Sequence, residues 1–296
     1  MTINFMKYRT LWLSLSVVVT VLALVFFAVW GLKYNIDFTG GGLLEIKFIQ
    51  ERPNIEEVRS VVTSIDNSIS VQDSGDNNVI FRFQKADEAM HQNVVTELRN
   101  KYTDKFQEER FESVGPSVGK ELKTKAFYSI ILAMIAIVLY IAYAFRKVSY
   151  PVASWKYGLF AILALIHDVL LVVGVFAVLG KFMGIDVGLP FVAALLTVLG
   201  YSVNDTIVVF DRVRENLGRI SKISFTDLVN RSVNETLARS INTTLTTLLA
   251  LIAIFFWGGV TIKFFALALI IGIFSGAYSS IFIACPLLIL AHRKKQ

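Results

Sequence analysis

The chain has 296 residues, of which 55% are hydrophobic and 12% aromatic, with a mean hydropathy of +0.60. A soluble protein of this length does not carry so much apolar surface, so composition places the chain in a membrane and excludes a water-soluble class. The single Cys285 excludes a disulfide framework, and the net charge of +6 comes from basic residues beside apolar runs rather than a continuous stripe, which argues against nucleic acid as a partner.

Apolar runs near 11–32, 126–145, 157–179, 188–210, 241–260 and 264–291 predict six transmembrane helices, because a hydrocarbon core of about 30 Å takes about 20 helical residues to cross. The first run follows Lys7 and Arg9 as a secretory signal would, but it is too long for one and ends in Phe-Phe-Ala-Val-Trp without small residues for cleavage. It reads as an uncleaved anchor. The expected organisation is an N-terminal tail with the first helix over 1–32, an extracytoplasmic α+β domain over 33–125, and helices two to six with a short cytoplasmic tail over 126–296.

The outer segment reads as a small folded module. Leu44, Ile46 and Phe48 alternate along a strand, and Asn54-Ile-Glu-Glu57 has the form of an N-cap opening a helix with Ile55, Val58, Val62 and Ile65 on one side. Strands near Ile69 to Gln72 and Val79 to Gln84 flank the turn residues Asp73 to Asn78, with Val79, Phe81 and Phe83 on one face. A helix from about Asp87 to Tyr102 carries Val94, Val95 and Leu98, and Phe106 to Val114 supplies a last strand. The order βαββαβ predicts a ferredoxin-like module. Its His91 is expected on a solvated helix face with no second ligand, so no metal is assigned. Gly115-Pro-Ser-Val-Gly119-Lys120-Glu121 has the wrong glycine spacing for a phosphate loop and Glu where the magnesium hydroxyl would be, and no cofactor is expected.

With the N-terminus cytoplasmic, the inside segments carry Lys7, Arg9, Arg146, Lys147, Lys156, Arg212, Arg214, Arg219, Lys222, Arg231, Arg239, Arg293, Lys294 and Lys295. The two short outer turns carry only Lys181 and Lys263, so both termini are expected inside.

The fourth run contains Tyr201-Ser202-Val203-Asn204-Asp205, an ionisable carboxyl inside a membrane helix. Such a group is costly there, faces other helices or a wet cavity, and commonly marks an ion or proton path; the alternative is a structural hydrogen bond between helices. Taking a carboxylate out of water favours its neutral form, which suits Asp205 to proton exchange. Tyr201 and Ser202 share its helix face and are candidates to hydrogen-bond it or to pack on a neighbour. With about 1.5 Å of rise per residue, Asp205 is expected about 8 Å from a helix end at Phe210. Arg239 is expected at the start of the next helix, able to reach the carboxylate or to snorkel outward, followed by the polar group Thr243, Thr244, Thr246 and Thr247. His167-Asp168 forms a second polar spot near the centre of the third span, a relay or a helix pair held by hydrogen bonds, with the balance toward structural coupling. Sodium in place of a proton would need several oxygen ligands, some available from Ser202, Asn204 and Asp205.

Four stretches carry a family resemblance. Gly200-Tyr-Ser-Val-Asn-Asp-Thr-Ile-Val-Val-Phe-Asp-Arg-Val-Arg-Glu215 resembles the fourth-helix signature of the SecF family of protein-export membrane subunits. Asp37-Phe-Thr-Gly-Gly41, Val114 to Leu122 and Asn234 to Thr244 agree with it, and the match covers essentially the whole chain. The resemblance implies the six-helix layout of the resistance-nodulation-division transporter superfamily, a bacterial cytoplasmic membrane location and a role in Sec-dependent secretion driven by the proton motive force. It implies as partners a SecD-like six-helix subunit, the Sec translocon channel, a translocating polypeptide and membrane lipid. The family's proton-site Asp falls on Asp205 and its functional Arg on Arg239. No enzymatic activity is implied. Two other readings remain: a small-molecule or lipid exporter of the same superfamily, which one small outer module argues against, and a translocon scaffold that moves nothing.

Two further features concern packing and movement. Ala268, Gly272, Gly276 and Ser280 form a small-residue stripe on the sixth span, suited to close helix packing. Gly40-Gly-Gly42 and Gly115-Pro116 join the outer module to its flanking helices as hinges or ordinary turns.

Overall fold

The computed structural model describes residues 3–50, 52–75, 77–84, 88–103, 105–146, 152–219 and 223–292. Asp76 and Asp87 of the outer segment, and Lys147, Lys222, Arg293, Lys294 and Lys295 of the charge pattern, lie outside these residues.

In chain order, a 3-10 turn at Phe5–Tyr8 leads into α1 (Arg9–Trp30), followed by the single-turn α2 (Ile36–Thr39), β1 (Gly41–Phe48) and α3 (Ile55–Thr63). Next come β2 (Ser70–Ser74), β3 (Asn78–Phe83), α4 (Glu88–Tyr102) and β4 (Phe106–Val114). The long helices α5 (Pro116–Ala144), α6 (Ser154–Met183), α7 (Leu189–Arg219) and α8 (Phe225–Trp257) follow. Then α9 (Val260–Ser279) passes through a π turn at Ser280–Ala284 into α10 (Cys285–Leu290), where Pro286 cannot donate the regular helical bond. Six helices among the described residues are long and apolar enough to cross a membrane.

The chain forms two compact units. Residues Tyr34–Phe127 with Asp186–Leu189 make one, and the spans make the other. The first unit is a four-stranded antiparallel sheet in the order β2-β3-β1-β4 with α3 and α4 packed on it, the ferredoxin-like arrangement that the element order implied. Asn54 caps α3 by accepting the Glu56 N–H. Leu44, Ile46 and Phe48 of β1 interleave with Val79, Phe81 and Phe83 of β3 and with Val58, Val62, Val94 and Leu98 of the helices. Alternation in the strands and helical spacing in α3 and α4 thus converge on one core.

His91 departs from the expected solvated position. It is 7% exposed, stacks on the Phe111 ring at 4.0 Å, and lies between Glu88 Oε1 at 3.1 Å and Glu108 Oε2 at 2.9 Å. His91 continues the stripe of Val94, Val95 and Leu98 that faces the sheet, and two carboxylates satisfy its ring nitrogens. At the first glycine segment Gly40 is a closely packed turn, with φ +74° and Pro116 Cα 2.8 Å from where its Cβ would stand, and Gly41, with φ +127°, opens β1; Gly115 has nothing within 4 Å of its Cβ position.

In the membrane unit, Met6, Phe145, Tyr157, Leu165, Leu199, Phe210, Val213, Leu228, Val233 and Leu288 share one core. Tyr157 stacks on Phe145 at 5.4 Å and meets Phe210 edge-on at 5.2 Å. α1 crosses α6 at Gly174, where an added Cβ would lie 2.6 Å from Ala23 Cα. The stripe on α9 presses on α7: a Cβ at Gly276 would stand 2.7 Å from Ser202 Cβ, and one at Gly272 would collide with Val198.

Two helix ends differ from expectation. α7 continues to Arg219 instead of stopping at Phe210, and α8 begins at Phe225, well before 241. Hydropathy marks only the apolar part of a helix, whereas polar pairs hold these extensions together. Asn216 Nδ2 donates to Ser232 Oγ at 2.9 Å and to Glu235 Oε2 at 2.8 Å, Arg212 pairs with Glu235 at 2.7 Å, and Ser224 caps α8 through the Asp227 N–H. Asp205 therefore lies about 21 Å from the end of its helix at the usual rise, and Arg239 lies in the body of α8 rather than at its start.

Candidate functional site in the membrane bundle

Asp205 projects from the buried face of α7 and is 4% exposed. Its Oδ2 accepts a hydrogen bond from Ser240 Oγ on α8 at 3.0 Å. Ser240 was not singled out from sequence, although it directly follows Arg239. The Arg239 side chain is exposed and, among the described residues, makes no ion pair with Asp205. Ser240 is thus the hydrogen-bond donor to the acid, while the Arg239 guanidinium lies near enough to act on the carboxylate electrostatically without forming an ion pair with it.

Tyr201 and Ser202 do not bond Asp205. The Tyr201 hydroxyl donates to the Thr243 carbonyl at 2.8 Å and pairs with Thr247 Oγ1 at 3.1 Å, tying α7 to α8. Ser202 lies at the other edge of that face and donates to Asp168 Oδ2 at 2.6 Å. Positions three and four residues before Asp205 share its general face, but at 100° per residue they sit on either edge of it, and different neighbours claim them. Asn204 is exposed, so Ser202, Asn204 and Asp205 do not converge on a common point where a sodium ion could sit. Thr243 Oγ1 returns to its own helix, to the Arg239 carbonyl at 3.0 Å.

Asp168 is the most engaged acid in the bundle. It is 0% exposed and accepts from Ser202 of α7 at 2.6 Å, Ser275 of α9 at 2.6 Å and Ser279 of α9 at 2.7 Å. His167 Nδ1 lies 3.0 Å from its Oδ1, which assigns the Nδ1 proton, while Nε2 is buried without a hydrogen-bond partner. Three helices thus meet on one carboxylate. Ser275 and Ser279 escaped the sequence reading because they fall one position before the small-residue stripe at Gly276 and Ser280, and four-residue spacing of small side chains reads as packing. Among the described residues, no group of three or more His, Cys, Asp or Glu is placed to hold a metal ion.

Residues 94–294 match the family model for the C-terminal part of the protein-export membrane protein SecD/SecF. The chain belongs to the SecF family. Protein translocase subunit SecF of Thermobaculum terrenum is 43% identical over 301 residues, covering 97% of this chain and 93% of that protein. The SecF subunit of Anaerolinea thermophila is 39% identical, covering 97% and 94%. Among solved structures, SecDF from Thermus thermophilus, described as a translocon-associated membrane protein, superposes with a TM-score of 0.85 at 31% identity. This chain is covered to 98% in that match and spans 38% of the SecDF chain. The SecF family match includes the region from the second half of α4 onward, and so contains both Asp168 and Asp205.

Proposed function

We propose that this chain is one half of an accessory motor that uses the proton motive force to assist Sec-dependent protein translocation across the bacterial cytoplasmic membrane. The observation that carries the reading is Asp205: an acid buried between α7 and α8 and held by the Ser240 hydroxyl. Ionised, it draws the guanidinium of Arg239, the residue next to Ser240, inward; protonated, it releases it. Alternation between these two states changes how α7 and α8 pack. One elementary charge crossing 100 mV supplies about 2.3 kcal/mol, enough to bias such a pair of states.

A SecD-like six-helix subunit completes the assembly. Asn204, Arg239, Asn242, Thr243 and Thr246 are exposed on neighbouring stretches of α7 and α8, and polar groups in the bilayer face protein or water rather than lipid. In this reading the Sec channel and the translocating polypeptide are engaged on the outer side by the sheet module. Both termini are cytoplasmic, in keeping with the positive charge on the inner segments. The domain limits that follow are 1–32, 33–125 and 126–296, and the work done is mechanical, without bond-making chemistry.

The test is export of a slow-folding secreted protein into membrane vesicles, with and without a proton gradient. Asp205→Asn should remove the gradient-stimulated part of export and leave the basal part. Gradient-stimulated export that survives this substitution would leave a scaffold role instead.

A further inference from the structure

The motif Asp37-Phe-Thr-Gly-Gly41 has so far been only a marker of kinship. Its carboxylate has a specific task at the start of α7. A helix begins with backbone N–H groups that lack partners, and a side chain at the preceding residue commonly accepts one of them. Here that residue is Gly188, which has no side chain to offer. Asp37 Oδ2 accepts the Leu189 N–H in its stead, at 2.8 Å. Asn35 Nδ2 donates to the same oxygen at 3.1 Å, and Asn35 Oδ1 accepts the Asp37 N–H at 2.9 Å, so the carboxylate is aimed by its own neighbour. A Cβ on Gly188 would fall on Asn35 Nδ2 and Asp37 Oδ2, so the missing side chain makes room for the borrowed cap. The negative charge at a helix N-terminus is also favourably placed against the helix dipole.

The preceding residues are held to the same module. Asn35 N–H donates to the Val187 carbonyl at 3.0 Å, and Asp186 pairs with Arg82 of β3 at 3.2 Å, both side chains largely buried. Residues Asp186–Leu189 consequently belong to the compact unit of the sheet module. From Leu189 the helix runs without a break to Arg219 and carries Asp205 about 24 Å farther along its axis at the usual rise.

We propose that the Asp37 cap and the Arg82–Asp186 bridge form the coupling joint through which a displacement of α7, set by the state of Asp205, is delivered to the outer module. The proposal rests on the proton-coupled reading of Asp205 given above. A helix is stiff along its axis, and its first residue, Leu189, is fastened to the sheet module, so movement of the helix moves the module's attachment. Asp37 is a positioning residue in this scheme, outside the proposed proton path.

The experiment uses the whole SecD/SecF assembly in vesicles and reads two quantities: gradient-stimulated export, and proton uptake followed with a lumenal pH dye. Asp37→Leu should abolish gradient-stimulated export while proton uptake continues. Asp37→Asn should retain export within about twofold, because an asparagine oxygen caps a helix as well as an aspartate. Arg82→Asp and Asp186→Arg should each lower stimulated export, and the two together should recover it. Equal loss in Asp37→Asn and Asp37→Leu would overturn the capping role, as would wild-type export in Asp37→Leu. If Asp37→Leu fails to accumulate, the charge reversal decides, and failure of the double variant to recover what the single variants lose overturns the joint. Asp205→Asn serves as the reference: stimulated export that survives it removes the proton-coupled reading itself. Loss in Asp205→Asn with none in Asp37→Leu removes only the joint.

Discussion

Replacing Asp168 with Ala removes the acceptor on which α6, α7 and α9 meet. Ser202, Ser275 and Ser279 lose bonds of 2.6, 2.6 and 2.7 Å. Side-chain hydrogen bonds between membrane helices average about 0.6 kcal/mol and reach about 1.7 kcal/mol, so three of them together contribute about 2 to 5 kcal/mol. The loss is bounded because each hydroxyl can turn back to its own helix, as Ser279 already does toward the Gly276 carbonyl at 3.3 Å. Asp168→Ala also leaves a cavity, so the single variant overstates the bonds. A double-mutant cycle with Ser275→Ala cancels that contribution. Unfolding by titration with a denaturing detergent should give a coupling energy of about 0.6 to 1.7 kcal/mol for the Asp168–Ser275 pair. Effects that add to within about 0.3 kcal/mol would refute the assignment of Asp168 as a shared anchor.

The α7–α9 contact should be as sensitive to added volume as to lost bonds: Gly276→Val, with Ser202 Cα 3.0 Å from the new Cβ, should cost about 1 to 3 kcal/mol in the same titration. Gly200→Ala, with nothing within 4 Å, should show no such penalty. In the outer module, Leu44 is 0% exposed, and Leu44→Ala should cost about 2 to 5 kcal/mol, seen as faster proteolysis within residues 34–127 of the full chain. The Tyr102 hydroxyl is pushed up to about 12, by burial first and then by the Glu57 carboxylate beside it. An unfolded tyrosine ionises near pH 10, so the contribution to stability is complete below about pH 10 and is lost as pH rises toward about 12. Tyr102→Phe should flatten that alkaline decline in thermal unfolding followed against pH.

The parts of this chain that could be read from residues alone are those in which one periodicity carries the information. Alternation of Leu44, Ile46 and Phe48 and the spacing of Val58 and Val62 led directly to the sheet module, because each face had only one core to join. The bundle resisted the same treatment. Apolar windows found the spans but cut α7 at Phe210 and started α8 at 241, since the flanking turns are amphipathic and are held by Asn216, Ser232 and Glu235, pairs distant in sequence. His91 was misplaced because a polar side chain in an apolar stripe looks solvated until Glu88 and Glu108 are seen to satisfy it. Asp205 was evident as a buried acid. Its partner was not, because a serine on another helix has no signal in a single sequence.

The contrast between the two bundle acids gives the strongest physical reason for assigning them different tasks. Asp168 has both oxygens occupied, by three serine hydroxyls and a histidine N–H drawn from three helices. A proton arriving there has to displace a donor and loosen a helix contact, so the group acts as a fixed acceptor. Among the described residues Asp205 has one hydrogen-bond donor, Ser240, for its two oxygens. A proton can bind it without breaking the bundle's other bonds, and Arg239 lies one residue from the serine that holds it. Ser202 connects the two: less than one turn before Asp205, it is bonded to Asp168 and pressed by Gly276. The anchor therefore fixes one side of α7 against α6 and α9 while leaving the Asp205 side to respond to α8. On the proposed proton-coupled reading, removing the Ser202 bond to the anchor through Ser202→Ala should weaken coupling more than it weakens proton uptake, because it frees the helix to rotate without touching the acid proposed to take the proton. Equal losses in the two quantities would show that Asp168 and Asp205 act as a single relay.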